Sequence, residues 1–204
     1  MPSLEKVSIP GPAGKLEVAV HMPDVAPRAI AVIAHPLPTM GGTMENKIVT
    51  TLAKTFAELG FAALRFNFRG VGASNGEFDD GNGEVDDALT VTRYALSKYG
   101  DLPLILSGFS FGGYVQARAA QQLHPRQLVL IAPAVTRYPM PPVPHNTLLI
   151  HGELDEVISL ADVMQWARPQ LLPIVVLPGA VHFFPGRLEQ LKEIVRHNFT
   201  GRAL

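Results

Sequence analysis

Short apolar runs punctuate the chain, and stretches of amphipathic spacing lie between them. Ala29 to Ala34 reads AIAVIA, and Ala62–Phe66, Leu102–Ser107, Leu128–Ala132, Thr147–His151 and Ile174–Leu177 are of the same kind. Continuous runs of this length predict strands buried on both faces, as in a parallel sheet covered by helices. Two opening strands, Val7–Ile9 and Leu16–His21, are predicted on either side of the turn Pro10-Gly11-Pro12-Ala13-Gly14. Ile48, Val49, Leu52, Phe56 and Leu59 recur at helical spacing, and Gly60 supplies a stop. Val85, Ala88, Leu89, Thr92, Ala95, Leu96 and Tyr99 mark a second helix. Glu84, Asp86 and Asp87 at its start and Lys98 at its end suit the helix dipole. An alanine-rich helix runs to about Leu123, a further helix covers Ser159 to about Arg168, and a closing one covers Pro185–His197. About eight strands alternating with helices predict an α/β fold: a mostly parallel eight-stranded sheet with helices on both faces and right-handed crossovers. With no repeat or linker in sight, residues 1–204 read as one domain.

Composition sharpens this. Of 204 residues, 47% are hydrophobic and 17% charged, which excludes global disorder and supplies a large core. The net charge of −1 and the absence of basic runs give no reason to expect nucleic acid or anionic lipid as a partner. No cysteine is present, so disulfides, zinc–thiolate sites and a thiol nucleophile are excluded. The opening residues MPSLEKVSIPGPAGK carry no apolar leader, and no run approaches the roughly 20 residues that cross a membrane. A cytoplasmic protein is expected. The histidines lack H-x-x-H or H-E-x-x-H spacing, so no metal and no cofactor is expected.

One motif carries chemistry. Gly108-Phe109-Ser110-Phe111-Gly112 is G-x-S-x-G, placed where a buried strand ends and a small-residue helix begins. A tight strand-to-helix turn there lifts a serine hydroxyl out of the sheet, and the flanking glycines admit close backbone. Alone, the motif also fits a glycine-rich helix start with Ser110 as N-cap. A serine nucleophile needs a base, itself oriented by a carboxylate. Asp155, in His151-Gly152-Glu153-Leu154-Asp155-Glu156, follows one buried strand, and His182, in Pro178-Gly179-Ala180-Val181-His182, follows the last. All three then sit at the carboxyl ends of parallel strands, where open α/β sheets place their sites. Glu153 and Glu156 compete with Asp155 for the acid. His151 reads as structural, and the acidic group Asp79, Asp80, Glu84, Asp86 and Asp87 reads as helix-start electrostatics rather than a calcium loop.

Taken together, the elbow, the H-G-x-x-D segment and the late G-x-x-H resemble the α/β-hydrolase superfamily. His35-Pro36-Leu37-Pro38 with Gly41-Gly42-Thr43, and Phe66-Asn67-Phe68-Arg69-Gly70-Val71-Gly72-Ala73-Ser74, are similar to its small, lidless bacterial esterase-like members. Such relatives often read H-P-H-P, whereas position 37 here is Leu. The resemblance implies Ser110 as nucleophile, His182 as base and Asp155 as orienting acid. It also implies two backbone donors for the oxyanion: the N–H of Phe111 and one from the loop after the third strand. Leu37 is the expected second donor, with Gly41 and Gly42 as rivals; Pro36 and Pro38 have no N–H to offer. His35 either orients that loop or simply ends the strand. Arg65, Asn67 and Arg69 follow the fourth strand, where Arg69-Gly70-Val71-Gly72 reads as shaping a turn, with a substrate-contacting arginine as the alternative.

In this superfamily a cap usually enters between the sixth and seventh strands. Here that segment is PAVTRYPMPPVPHN, with five prolines in fourteen residues, and interior prolines break helices. A capless enzyme with an open cleft is expected, its acyl pocket bordered by Tyr138, Met140 and Phe183. The expected activity is hydrolysis of small carboxylic esters through an acyl-enzyme, rising with pH as the histidine loses its proton. Thioester or peptide cleavage on the same residues, and a non-catalytic binding protein on the same fold, are the alternatives.

Overall fold

The computed structural model describes residues 3–200. The strands are β1 (Ser3–Gly11), β2 (Gly14–Met22), β3 (Ala29–Ala34), β4 (Phe61–Phe66), β5 (Leu104–Phe109), β6 (Gln127–Ile131), β7 (Leu148–Gly152) and β8 (Ile174–Leu177). The helices are α1 (Lys47–Glu58), α2 (Asn82–Tyr99), α3 (Phe111–Leu123), α4 (Leu160–Ala167) and α5 (Leu188–Phe199). The strands form one eight-stranded sheet in the order β1-β2-β4-β3-β5-β6-β7-β8. β1 and β2 are antiparallel to each other, and β2 is antiparallel to β4. From β4 through β8 all neighbours run parallel.

Strand alternation builds two cores from one sheet. Ile30, Val32 and Ala34 of β3 face α2, α3 and α4, whereas Ala29, Ala31 and Ile33 face α1 and α5. The same split recurs on β5, where Leu104 and Leu106 oppose Ile105 and Phe109. Both faces of β3 to β6 are therefore apolar, which is why these strands read as unbroken runs. On the α1–α5 side, Phe56, Phe61 and Phe199 meet with ring centroids 5.6–5.8 Å apart, pinning the last helix to the first.

Several elements differ from their sequence-predicted limits. β1 begins at Ser3 because only Ile9 of it is buried; the rest is held by the ladder to β2, which leaves no hydrophobic trace. β5 runs on through Gly108 and Phe109, two residues that read as turn but pair with Ala34, Leu130 and Ile131. α5 starts at Leu188 rather than Pro185, and α4 follows Ser159, whose Oγ accepts the Asp162 N–H at 3.1 Å. The segment between β6 and β7 contains no helix, so no cap covers the carboxyl edge of the sheet. No described helix is long and apolar enough to cross a membrane.

Candidate active site

Ser110 sits between β5 and α3 with φ 55° and ψ −117°, a backbone conformation that side chains rarely adopt. Its neighbours explain why the turn closes there. A Cβ on Gly108 would strike the Gly112 carbonyl, and one on Gly112 would strike the carbonyl of Ala34. Only glycine at both positions lets α3 start hard against the ends of β5 and β3. Ser110 makes no side-chain cap to its own helix, so the hydroxyl is left for other partners.

The partner is His182, whose Nε2 lies 3.2 Å from Ser110 Oγ. His182 Nδ1 lies 2.7 Å from Asp155 Oδ2, and all three side chains are buried. The second carboxylate oxygen of Asp155 accepts the N–H groups of Val157 at 2.9 Å and Ile158 at 2.7 Å. Burial opposes ionisation of Asp155, but its hydrogen bonds with His182 and these N–H groups outweigh it and hold the carboxyl below its usual range. Asp155 is thus an anion at neutral pH, which fixes the Nδ1–H tautomer of His182 and leaves Nε2 to accept from the serine.

The rival acids are engaged elsewhere. Glu153 Oε2 accepts the Gly179 N–H at 2.8 Å, and Glu156 Oε2 accepts the His182 N–H at 3.3 Å. Both tie the β7 loop to the β8 loop by their backbones. His151 Nε2 lies 2.9 Å from the Ile158 carbonyl and 3.5 Å from Asp155 Oδ2, bracing the loop that presents the acid. Burial lowers its pKa, keeping the ring neutral.

Beside the serine, the loop after β3 forms a short 3-10 turn, Pro38–Met40. Gly41 N–H donates to the Pro38 carbonyl and Gly42 N–H to the Leu37 carbonyl, each at 3.0 Å. Both rivals for an oxyanion role are spent inside the turn, whereas the Leu37 N–H has no backbone acceptor among the described residues. Phe111 is the first residue of α3, so its N–H has no intrahelical acceptor either. His35 is fully buried and joins two strand ends. Its Nε2 accepts the Phe68 N–H at 3.1 Å, so Nδ1 carries the hydrogen and donates to the Pro36 carbonyl at 2.6 Å. Pro36 C=O and Leu37 N–H belong to one trans peptide and point opposite ways, so the bond from His35 also aims the Leu37 N–H.

A cleft of about 260 Å³ opens over Ser110, bordered by Leu37, Gly42, Phe111, Tyr138, His182 and Phe183. Tyr138 stacks on Tyr114 at 4.7 Å and leans on Phe111 at 5.2 Å. Met140 does not line the cleft. Its side chain is half-buried against the core beneath α2, α3 and α4, where apolar contacts hold a flexible thioether. Met40, Asn46, Arg137, Val157 and Ile158 also line the cleft. None carries a motif, since their position depends on which loops meet.

The polar residues after β4 act as clamps. Arg69 pairs with buried Asp87 through Nη2 at 2.9 Å and Nε at 3.1 Å. Asn67 Oδ1 accepts the Met44 N–H at 2.8 Å, and Arg65 holds the Met44 carbonyl at 2.9 Å, anchoring the far end of the loop that carries Leu37. Glu84 accepts the N–H groups of Asp79 at 2.9 Å and Gly81 at 2.8 Å, closing the turn into α2.

Residues 26–146 match the family described as serine aminopeptidase, S33. An α/β serine hydrolase without a lid from Xanthomonas campestris is 39% identical, over 96% of this chain and 93% of that one, with a TM-score of 0.92. An α/β serine hydrolase homologue from Coxiella burnetii is 40% identical, over 95% of this chain and 96% of that one, with a TM-score of 0.87. An uncharacterised protein of Rickettsia prowazekii is 30% identical, over 91% of this chain and 84% of that one.

Proposed function

We propose that this chain, which belongs to the α/β serine hydrolases of the family described as serine aminopeptidase S33, hydrolyses small carboxylic esters through an acyl-enzyme on Ser110. The observation that carries the reading is the continuous hydrogen-bond line from Ser110 Oγ through His182 to Asp155, at 3.2 and 2.7 Å, opening into a cleft flanked by two uncommitted N–H groups. Ser110 Oγ attacks the carbonyl carbon while His182 Nε2 takes its proton. The carbonyl oxygen gains charge between the N–H groups of Phe111 and Leu37, each such donor being worth about 10²–10³ in rate. The tetrahedral species collapses, and His182 returns the proton to the departing alkoxide. Water, deprotonated by the same nitrogen, then releases the acid and restores Ser110.

The cleft's size and its lining support a short acyl group. At about 260 Å³ it lies below the roughly 300–1,000 Å³ of pockets that enclose drug-sized ligands. Its lining also weighs against an aminopeptidase. Holding a peptide's α-ammonium calls for a carboxylate at the cleft, yet no Asp or Glu lines it, and its charged side chain is Arg137.

The test is covalent labelling with a fluorophosphonate probe, followed by turnover of 4-nitrophenyl esters of graded chain length beside an acyl-CoA and a peptide amide. Labelling lost in Ser110→Ala, with short esters turned over fastest, is expected. A folded wild-type protein that takes no label would overturn the reading.

A further inference from the structure

Arg137 stands in the loop between β6 and β7 and lines the cleft over Ser110, next to Tyr138. It differs from the other arginines around the site, which are committed. Arg65 is held by Glu45 and the Met44 carbonyl, and Arg69 by Asp87. Arg118 is held by the Gly81 carbonyl, Asn82 and the Tyr114 hydroxyl. Arg137 makes no ion pair with any carboxylate among the described residues. The acidic groups that act on its neighbour Tyr138 are Asp80 and Glu84, and Glu84 spends its oxygens on two backbone N–H groups. An exposed guanidinium therefore borders an otherwise uncharged cleft beside the nucleophile, with its donors unassigned by the fold.

A guanidinium presents its N–H groups as a planar fork that matches a carboxylate in two parallel hydrogen bonds. Because Ser110 and Arg137 line the same cleft of about 260 Å³, an anion reaching Arg137 lies within that cleft's span of the scissile carbonyl. Resting on the ester reading above, we propose that Arg137 is a specificity-determining residue that selects esters bearing a carboxylate close to the bond to be cleaved. The carboxylate belongs either to the acyl group, as in a dicarboxylic acid monoester, or to the departing alcohol. Exposed charge pairs are weak and screened by salt, so the preference is modest and largest at low ionic strength.

Two substrate pairs separate the arms. 4-Nitrophenyl hydrogen glutarate is compared with 4-nitrophenyl valerate, and 4-acetoxybenzoate with phenyl acetate. The readout is the ratio of kcat/KM, anionic over neutral, in the wild type, Arg137→Gln and Arg137→Glu at low salt. In one arm the ratio should fall about two- to fivefold in Arg137→Gln and further in Arg137→Glu, with the three proteins converging at about 0.5 M salt. Ratios that coincide in all three proteins in both arms would show that Arg137 is only a solvated charge. Turnover of the neutral esters tests the ester reading separately. If no ester is cleaved, that reading fails, and Arg137 is tested by protection of Ser110 from the fluorophosphonate by glutarate. Protection that weakens in Arg137→Gln supports the anion site; equal or absent protection overturns it.

Discussion

The imidazole of His35 accepts the N–H of Phe68 at 3.1 Å, which obliges its other nitrogen to donate to its own neighbour's carbonyl, Pro36, at 2.6 Å. The segment just past β4 thereby sets the direction of the Pro36–Leu37 peptide, and with it the N–H of Leu37. A ring that looks like a strand terminator is coupled to the Leu37 side of the cleft.

Replacing His35 with Gln therefore displaces a donor rather than a binding surface. The expected result is a kcat lower by about 10- to 100-fold with KM little changed, an effect no larger than loss of one oxyanion donor. Steady-state kinetics on a short 4-nitrophenyl ester check this, with circular dichroism confirming the fold. An unchanged kcat in a folded variant would contradict the coupling.

His35 also sets a pH dependence of stability. Burial lowers its pKa to about 4 against the opposing hydrogen bond to Pro36. The unfolded ring takes up its proton near 6.5, so between about pH 6.5 and 4 the unfolded chain binds the extra proton. The stabilisation is complete above that window and is lost as pH falls through it, by about 3 kcal/mol for this one group. Urea midpoints measured at steps from pH 7 to pH 4 should fall accordingly, and less steeply in His35→Gln.

Asp155→Asn keeps an oxygen for the Val157 and Ile158 N–H groups but turns an amide donor toward His182 Nδ1. The imidazole is then driven to the tautomer whose Nε2 carries hydrogen and cannot accept from Ser110. A fall in kcat of about 10³- to 10⁴-fold is expected, with near-native thermal unfolding. A change of less than tenfold would move the acid's role to another carboxylate.

Strain at Ser110 gives a prediction of opposite sign for stability and activity. Glycine adopts φ 55° freely, so Ser110→Gly should gain about 1 kcal/mol in urea unfolding while losing turnover and labelling. Ser110→Ala should be equally inactive but keep the strain, and so show no such gain. Equal stability of the two variants would argue that the turn is relaxed.

The succession of buried strands and amphipathic helices was legible in the sequence because a period of two or of 3.6 is a local property of the chain. The same holds for the glycines flanking Ser110, since the close approach they permit is between residues near in sequence as well as to β3. What the chain could not show by itself is non-local. Ser110, Asp155 and His182 meet because β5, β7 and β8 end on the same edge of one sheet. Leu37 keeps its N–H uncommitted while Gly41 and Gly42 lose theirs, because a 3-10 turn closes on their carbonyl partners. Val157, Ile158 and Arg137 reach the cleft, and Met140 packs half-buried against the core instead, through the meeting of loops that share no periodicity. Local patterning thus determined the elements and the order of the chemical groups. Hydrogen bonds between distant strand ends decided which of those groups face one another.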